Sequence, residues 1–485
     1  MKIFLQHLRF CISIFLVLII TTTSYSQQEN VLTLQECIKI AIDNNLNVRR
    51  GLYNVETFKV NLLQSKMAFL PTANVGSSYG QNYGRALNPV TNLFINRDNT
   101  TINIQGTSSL SLFNGLRIQN TFRQSQKDFS ASEKDLEKAK NDVIIRIVTL
   151  YVNVIFNQEL YANSNFQLNS SQQQLERIRK QVEAGGLPLG DQLNQEATVA
   201  TNEVNLINQE NALNLSLLQL KQAMQLPGGT PLQVEIPEIQ PEDLILEDNP
   251  EQIYAIAIET MPEVKSAQLK VESADLALKA NKGNLYPRLS LNGSIASNYS
   301  SASDNARFAP DGTFSLTSSP IGRVTATGDD VFGFQPNSSL ISEGYGRRDQ
   351  LQDNVFKSIS LSLSIPLFNG LQNRTNVQRA AINREIADIT QQETKNALRQ
   401  TIETAYNDAL AAAKSYSASL KQVKAREEAY RMSKQRFESG AINSFEFQIS
   451  ENELFQSKSD LSRAKYDFIF KKKILDFYQG KPIDY

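Results

Sequence analysis

Tryptophan is absent from the 485 residues, histidine occurs once, at His7, and cysteine twice, at Cys11 and Cys37. With no imidazole beyond His7, a Ser-His-Asp or Cys-His arrangement cannot be assembled, and no histidine metal site can form. Neither a G-x-x-x-x-G-K-[ST] phosphate loop nor a G-x-G-x-x-G opening a helix occurs. No catalytic, cofactor-binding or metal residue is therefore nominated, and the chain is not read as an enzyme. An excess of one charge is missing too: 49 Lys and Arg face 50 Asp and Glu, for a net charge of -1. That balance excludes a strongly basic nucleic-acid binder and an acidic tail protein. Beyond residue 20, no hydrophobic run reaches the ~18 residues of a membrane helix.

What is present begins with a leader. Lys2 and Arg9 precede an apolar run from Phe10 to Ile20, and the small-residue pattern Ser24-Tyr25-Ser26 follows before Gln27. Residues 1–26 have the layout of a cleaved secretory signal peptide; a short N-terminal anchor is the alternative. Cleavage would remove His7 and Cys11 and leave Cys37 alone, so no intramolecular disulfide could form even in an oxidising compartment. Cys37 reads as a small core residue. The apolar share is 41%, which suits a folded chain with much of its length in contact with water. Met67, Met224, Met261 and Met432 are well separated and form no metal-handling cluster.

The chain repeats itself. Ala41-Ile42-Asp43 matches Ala257-Ile258-Glu259, and the same offset of 216 pairs Val48 with Val264 and Pro71 with Pro287. Leu112-Phe113-Asn114-Gly115-Leu116 matches Leu367-Phe368-Asn369-Gly370-Leu371 at an offset of 255, which also pairs Glu183-Ala184-Gly185 with Glu438-Ser439-Gly440. The second half thus holds 39 extra residues between Pro287 and its Leu-Phe-Asn-Gly-Leu motif. This divides the chain into a first repeat at 27–226, a connector at 227–250 rich in proline, and a second repeat at 251–485.

Each half predicts the same elements. An amphipathic helix over 33–69 or 251–285 stops at Pro71 or Pro287. Two strands around a loop come next, then a very long helix over 116–183 or 371–438. A glycine turn and a closing helix over 191–224 or 445–478 complete the half. The long helices carry apolar residues every seven: Ile147, Val154, Tyr161, Leu168, Leu175 and Val182, then Ile402, Ala409, Tyr416, Val423, Tyr430 and Phe437. Sustained sevens mean helices packed side by side as in a left-handed coiled coil. A helix of about 68 residues spans roughly 100 Å, far more than a globular domain needs.

The strands alternate with period two. Ile359, Leu361, Leu363 and Ile365 interleave with serines 358 to 364, and Ala73, Val75, Tyr79 and Tyr83 interleave with Thr72, Asn74, Ser78 and Asn82. A soluble sandwich shows this pattern, and so does a membrane barrel with lipid outside and a wet lumen inside. Four strands are too few to close a membrane barrel, for which about eight is the minimum. An open edge in hydrocarbon leaves peptide groups unpaired at several kcal/mol each, so strands in a membrane would have to be pooled from several copies.

The opening Leu32-Thr33-Leu34-Gln35-Glu36-Cys37-Ile38-Lys39-Ile40-Ala41, the junctions at Pro71 and Pro287, the twin Leu-Phe-Asn-Gly-Leu motifs and the two glycine turns resemble the TolC family of outer-membrane efflux and secretion ducts. The likeness covers nearly all of the chain after residue 26. It implies a mixed α/β membrane protein with long antiparallel coiled-coil helices in a trimeric α-helical barrel. Four β-strands per protomer would enter a shared 12-stranded outer-membrane β-barrel. It implies a Gram-negative outer membrane, with the helices in the periplasm. The implied partners are two further copies, a periplasmic adaptor (membrane fusion) protein, an inner-membrane pump of RND or ABC type, and outer-membrane lipid. Nucleic acid and cofactors have no part. Loops 85–100 and 300–355 would face outside the cell, the second being exposed and mobile. A periplasmic adaptor, also built on long hairpins, is the competing reading; it calls for one hairpin rather than two. A secreted enzyme using paired carboxylates is a third, disfavoured because helix-tube periodicity supplies no pocket.

By the same resemblance the glycine turns, Gly185-Gly186 and Gly440, form the periplasmic tip. Asp191 and Glu446, just after them, would make rings of charge that favour cations; equally, each carboxylate suits the first turn of a helix without further role. Family members place an aromatic hydroxyl and an arginine around the second turn, where this chain has Phe437 and Ile442, so closure would rest on apolar packing. Phe113, Gly115, Phe368 and Gly370 mark the strand-to-helix passages, either setting the angle between barrel and tube or serving as ordinary turn and core residues.

Overall fold

The structure is a computed structural model that describes residues 31–87, 94–96, 98–236, 249–301, 303, 307–342 and 344–481. The leader at 1–26 and the connector's residues 237–248 lie outside the described residues. Nine helices are described: α1 Leu34–Asn44, α2 Leu46–Met67, α3 Arg117–Glu183, α4 Leu189–Ala223, α5 Pro250–Thr260, α6 Pro262–Gly283, α7 Arg347–Asp353, α8 Gln372–Glu438 and α9 Ser444–Tyr478. The offsets found in the sequence carry α1 and α2 onto α5 and α6, and α3 and α4 onto α8 and α9, residue for residue at both ends.

The single helices expected over 33–69 and 251–285 are each two. Asn45 and Met261 adopt extended backbone (ψ 125° and 130°) between the pairs. Pro262 forces the residue before it out of the helical region. In the first half Asn45 does the work, its Oδ1 accepting from the Asn47 and Val48 amides at 2.8 and 3.3 Å as an N-cap. Reciprocal capping boxes open α1 and α5: Thr33 with Glu36, and Asn249 with Gln252.

The chain divides into two units, one formed by the described residues of 1–59, 127–271 and 386–485, the other by those of 60–126 and 272–385. The first unit is helical. Its larger core joins Cys37, Ala41, Val48, Ile147, Val154 and Leu220. A second core uses their repeat counterparts Ile253, Ala257, Val264, Ile402, Ala409 and Leu475. Helix α3 is long and apolar enough to cross a membrane by length and composition, which differs from the sequence expectation. Its Ile147, Val148, Tyr151, Val154 and Ile155 are buried in the helical core, as in a core helix of a folded domain. The described part of the connector is strapped to this core. Strands β1 Val31–Leu32 and β6 Gln233–Val234 pair in parallel, and the Tyr151 hydroxyl lies 2.7 Å from the Glu235 carbonyl, to which it donates.

The second unit holds the strands: β2 Thr72–Asn82, β3 Arg85–Leu87, β4 Phe94–Asn96, β5 Asn99–Phe113, β7 Arg288–Ser300, β8 Arg307–Leu316, β9 Gly322–Arg323, β10 Asp330–Val331, β11 Phe334–Ser342 and β12 Phe356–Ser364. Four form one antiparallel sheet in the order β12-β7-β5-β2. One face is a ladder of small polar groups: Ser109 donates to Asn292 (2.8 Å), Asn292 to Ser362 (3.2 Å), and Ser294 meets Ser358 at 2.8 Å. The other is apolar and bare, with Val75 84% and Ile359 83% exposed. The regions read as loops 85–100 and 300–355 hold the hairpins β3–β4, β8–β11 and β9–β10, while residues 88–93, 97, 302, 304–306 and 343 lie outside the described ones. Helix α7 is tied to β7: Gln350 is buried, its Oε1 accepting from the Ser300 amide (3.0 Å), and Asn354, at the helix end, donates to the Asn298 carbonyl (2.9 Å).

Candidate functional site

Both glycine turns are Schellman motifs of identical construction. Gly185 and Gly440 share a φ of +73°, a region open to glycine and strained for other residues. The Gly186 amide donates to the Gln181 carbonyl and the Ala441 amide to that of Arg436, both at 2.8 Å. Gly185 and Gly440 donate to Val182 and Phe437 at 2.9 and 3.0 Å. A left-handed residue thus reverses each chain within a few residues and delivers it to the next helix.

Asp191 and Glu446 occupy the same repeat position, in the first turns of α4 and α9. Asn443 caps α9, accepting from the Glu446 amide at 2.8 Å, whereas α4 has Pro188 as its N-cap, without a side-chain bond. Both carboxylates stand where a helix dipole favours negative charge. Phe437 does not stand free at the turn. Its half-buried ring stacks on Phe447 of α9 (centroids 4.9 Å, planes 7° apart), and Tyr430 lies on the same ring at 5.6 Å. Ile442 is half-buried beside the turn. The first hairpin has Val182 and Gln192 at the places of Phe437 and Phe447, so only the second carries this aromatic ladder.

Sequence reasoning missed the polar seam above the tip. Glu451 of α9 accepts from Ser170 (2.9 Å) and Gln174 (3.1 Å) of α3, and Gln167 donates to Asn452 (3.0 Å). A groove of about 440 Å³ between α4 and α9 is lined by amides and hydroxyls, among them Asn194, Thr198, Asn202 and Gln448, and by the apolar side chains of Ala197, Phe445 and Phe455. The repeat offset, which pairs Glu451 with Glu196, was the available signal.

The strand-to-helix junctions are equally matched. Two residues in a row are left-handed in each: Gly115 and Leu116 (φ +66° and +62°), then Gly370 and Leu371 (+62° and +65°). Leucine pays for this conformation where glycine does not. Asn114 and Asn369 close the turns, their carbonyls accepting from Arg117 and Gln372 at 3.3 Å. Phe113 ends β5, and Phe368, at 83% exposure, is barer still. Pro71 and Pro287 end the tapering turns after α2 and α6 and lead directly into β2 and β7. Among the described residues no group of three or more His, Cys, Asp or Glu is placed to hold a metal.

Residues 37–225 and 253–469 match the family described as Outer membrane efflux protein. Over 270 residues the chain is 24% identical to the outer membrane efflux protein BepC of Brucella suis biovar 1 (strain 1330). That stretch covers 54% of this chain and 55% of the relative, so the match spans about half the length of the curated protein. The fold is similar to the outer membrane protein VceC of Vibrio cholerae (TM-score 0.72, 12% identity, 93% of this chain and 97% of that one). It is also similar to CusC (TM-score 0.71, 14% identity, 93% and 92%). The Campylobacter jejuni outer membrane channel CmeC aligns at TM-score 0.69 with 15% identity, covering 92% and 85%.

Proposed function

The chain belongs to the outer membrane efflux protein family, and from that premise we propose that it is the outer-membrane channel of a tripartite efflux or type I secretion system. It is a passive export duct across periplasm and outer membrane. The observation that carries this is the four-stranded sheet, apolar and bare on one face, polar on the other, with an unpaired edge at β2 and at β12 among the described residues. Such a sheet suits lipid on one side and water on the other, provided its edges are closed.

In this reading residues 1–26 direct export, the repeats 27–226 and 251–485 each supply a helical hairpin and two strands, and 227–250 joins them. Three copies complete a 12-stranded barrel and a helical tube. The tip residues Gly185, Gly186, Asp191, Phe437, Gly440, Ile442 and Glu446 meet an adaptor and an RND- or ABC-type pump. The junction residues Pro71, Phe113, Gly115, Pro287, Phe368 and Gly370 set strands against helices. The duct performs no chemistry; cargo selection rests with the pump. The duplicated hairpins favour this over an adaptor, which calls for one.

The test is fractionation followed by conductance. The protein is expected in the outer-membrane fraction, and after detergent extraction it should give steady single-channel currents in planar bilayers. A soluble periplasmic product without conductance would overturn the reading.

A further inference from the structure

Each half brings the end of its closing helix to the start of an opening one, and the two joins are filled differently. In the first half α4 ends at Ala223 and α2 begins at Leu46, and both meet α3 around a gap of about 270 Å³. The buried Val143, Ile147 and Ala223 line it. Their counterparts in the second half are Leu398, Ile402 and Tyr478, which share one buried core. A phenol ring, 9% exposed, thus stands in the second half where the first has only the methyl of Ala223.

The charge differs as well. Arg50 and Arg146 line the gap together with Asn47, Gln222 and Gln225. The counterparts of the two arginines are Ser266 and Thr401, and that of Asn47 is Glu263. The second half therefore has a carboxylate and no cation at these places. The first has two cations, and none of the described lining residues is acidic. Asp142, one turn from Arg146 on α3, is already held by Lys138 at 2.6 Å. Among the described residues neither guanidinium has an ion-pair or side-chain hydrogen-bond partner.

Two like charges at one concave site raise the local potential for anions. The planar guanidinium fork matches the paired oxygens of phosphate and carboxylate. Helix α2 also opens at the gap with the positive end of its dipole. Asn45 already caps the Asn47 and Val48 amides there, so the arginines rather than the backbone supply the grip.

We infer that this gap binds a compact dianion, a phosphoryl group or a small dicarboxylate, held between Arg50 and Arg146. The ligand's charge follows from the two unpaired cations, and its chemistry from their fork. Its room follows from the ring that Tyr478 supplies in the second half and Ala223 does not in the first. The site lies wholly within the helical unit, so it does not depend on the duct reading. A bound anion would tie α4, α2 and α3 together where Tyr478 does so in the other half. A ligand of the folded state alone stabilises it in proportion to the logarithm of its concentration once the site is saturated.

The test uses the full-length protein extracted in an uncharged detergent. It is titrated calorimetrically with inorganic phosphate and, separately, with succinate, the ionic strength being held constant with chloride. The expected result is saturable binding at one site per chain, with a higher unfolding temperature. Tighter binding of phosphate marks a phosphoryl ligand, and tighter binding of succinate a dicarboxylate. Arg50→Gln and Arg146→Gln alter exposed side chains and should each weaken binding about tenfold or more. Arg50→Lys should weaken it less, because lysine retains the charge and loses the fork. Ala223→Tyr places the second half's ring in the gap and should abolish binding without removing a charge; if that variant does not fold, the arginine variants decide. No saturable binding of either anion by the folded wild type would overturn the inference. So would binding undiminished when both arginines are replaced by glutamine, or a rise in unfolding temperature that chloride alone reproduces.

Discussion

The phenol of Tyr466 on α9 donates to Glu159 Oε1 on α3 at 2.6 Å, from a side chain that is 3% exposed. It ties the last helix of the second half to the long helix of the first. Burial first, and then the bond to Glu159 and its charge, hold this phenol well above its ordinary pKa. A raised tyrosine pKa means that folding favours the protonated form. Its contribution is present in full below about pH 10 and is lost as pH rises beyond that.

Tyr466→Phe is therefore expected to cost about 1.5–3 kcal/mol, the range for a hydrogen bond to a charged group. Unfolding of the extracted protein, followed by circular dichroism, checks this. Above pH 10 the variant should also lose stability less steeply than the wild type.

Cys37 is fully buried, and its thiol is pushed up to about 12, by burial first and by the Glu36 charge second. At neutral pH its thiolate fraction falls on the order of a thousandfold. A thiol reagent should leave the folded protein unlabelled and modify Cys37 after denaturation. Rapid labelling of the folded protein would contradict the packing of α1.

Gly115→Ala and Gly370→Ala should part company. Both impose a left-handed alanine, worth about 1–2 kcal/mol. Only Gly115→Ala also drives a methyl into the Gly283 backbone of the same chain. Gly115→Ala should abolish protease-resistant protein in membranes. Gly370→Ala, where the added methyl would meet nothing within 4 Å, should leave protease-resistant protein in membranes.

At the tip, Ile442→Ser is expected to raise single-channel conductance if closure rests on apolar packing. Phe447→Ala, which removes the ring shared by Phe437 and Tyr430, should loosen the second hairpin at a cost of about 3–5 kcal/mol. Unchanged conductance across both variants would count against an apolar closure.

The repeat made most of this architecture legible. Sevens on α3 and α8 fixed long paired helices, and alternation in Ile359 to Ile365 fixed a strand with one apolar face. Short-range chemistry was less visible. The break at Asn45 depends on one side chain capping the next helix, and Asn inside an amphipathic pattern does not announce it. The anchoring of α7 by Gln350 and Asn354 depends on contacts some fifty residues away along the chain, which no local pattern records. Phe437 was placed at the closure by position alone; its stacking on Phe447 needs the geometry of two helices at once.

The mass of the native protein is the decisive quantity. Light scattering of protein extracted from outer membranes should give three chains per particle, with no folded single chain surviving once detergent is withdrawn. A monodisperse, folded monomer in plain buffer would show that the sheet edges at β2 and β12 need no partner, and would contradict the shared barrel.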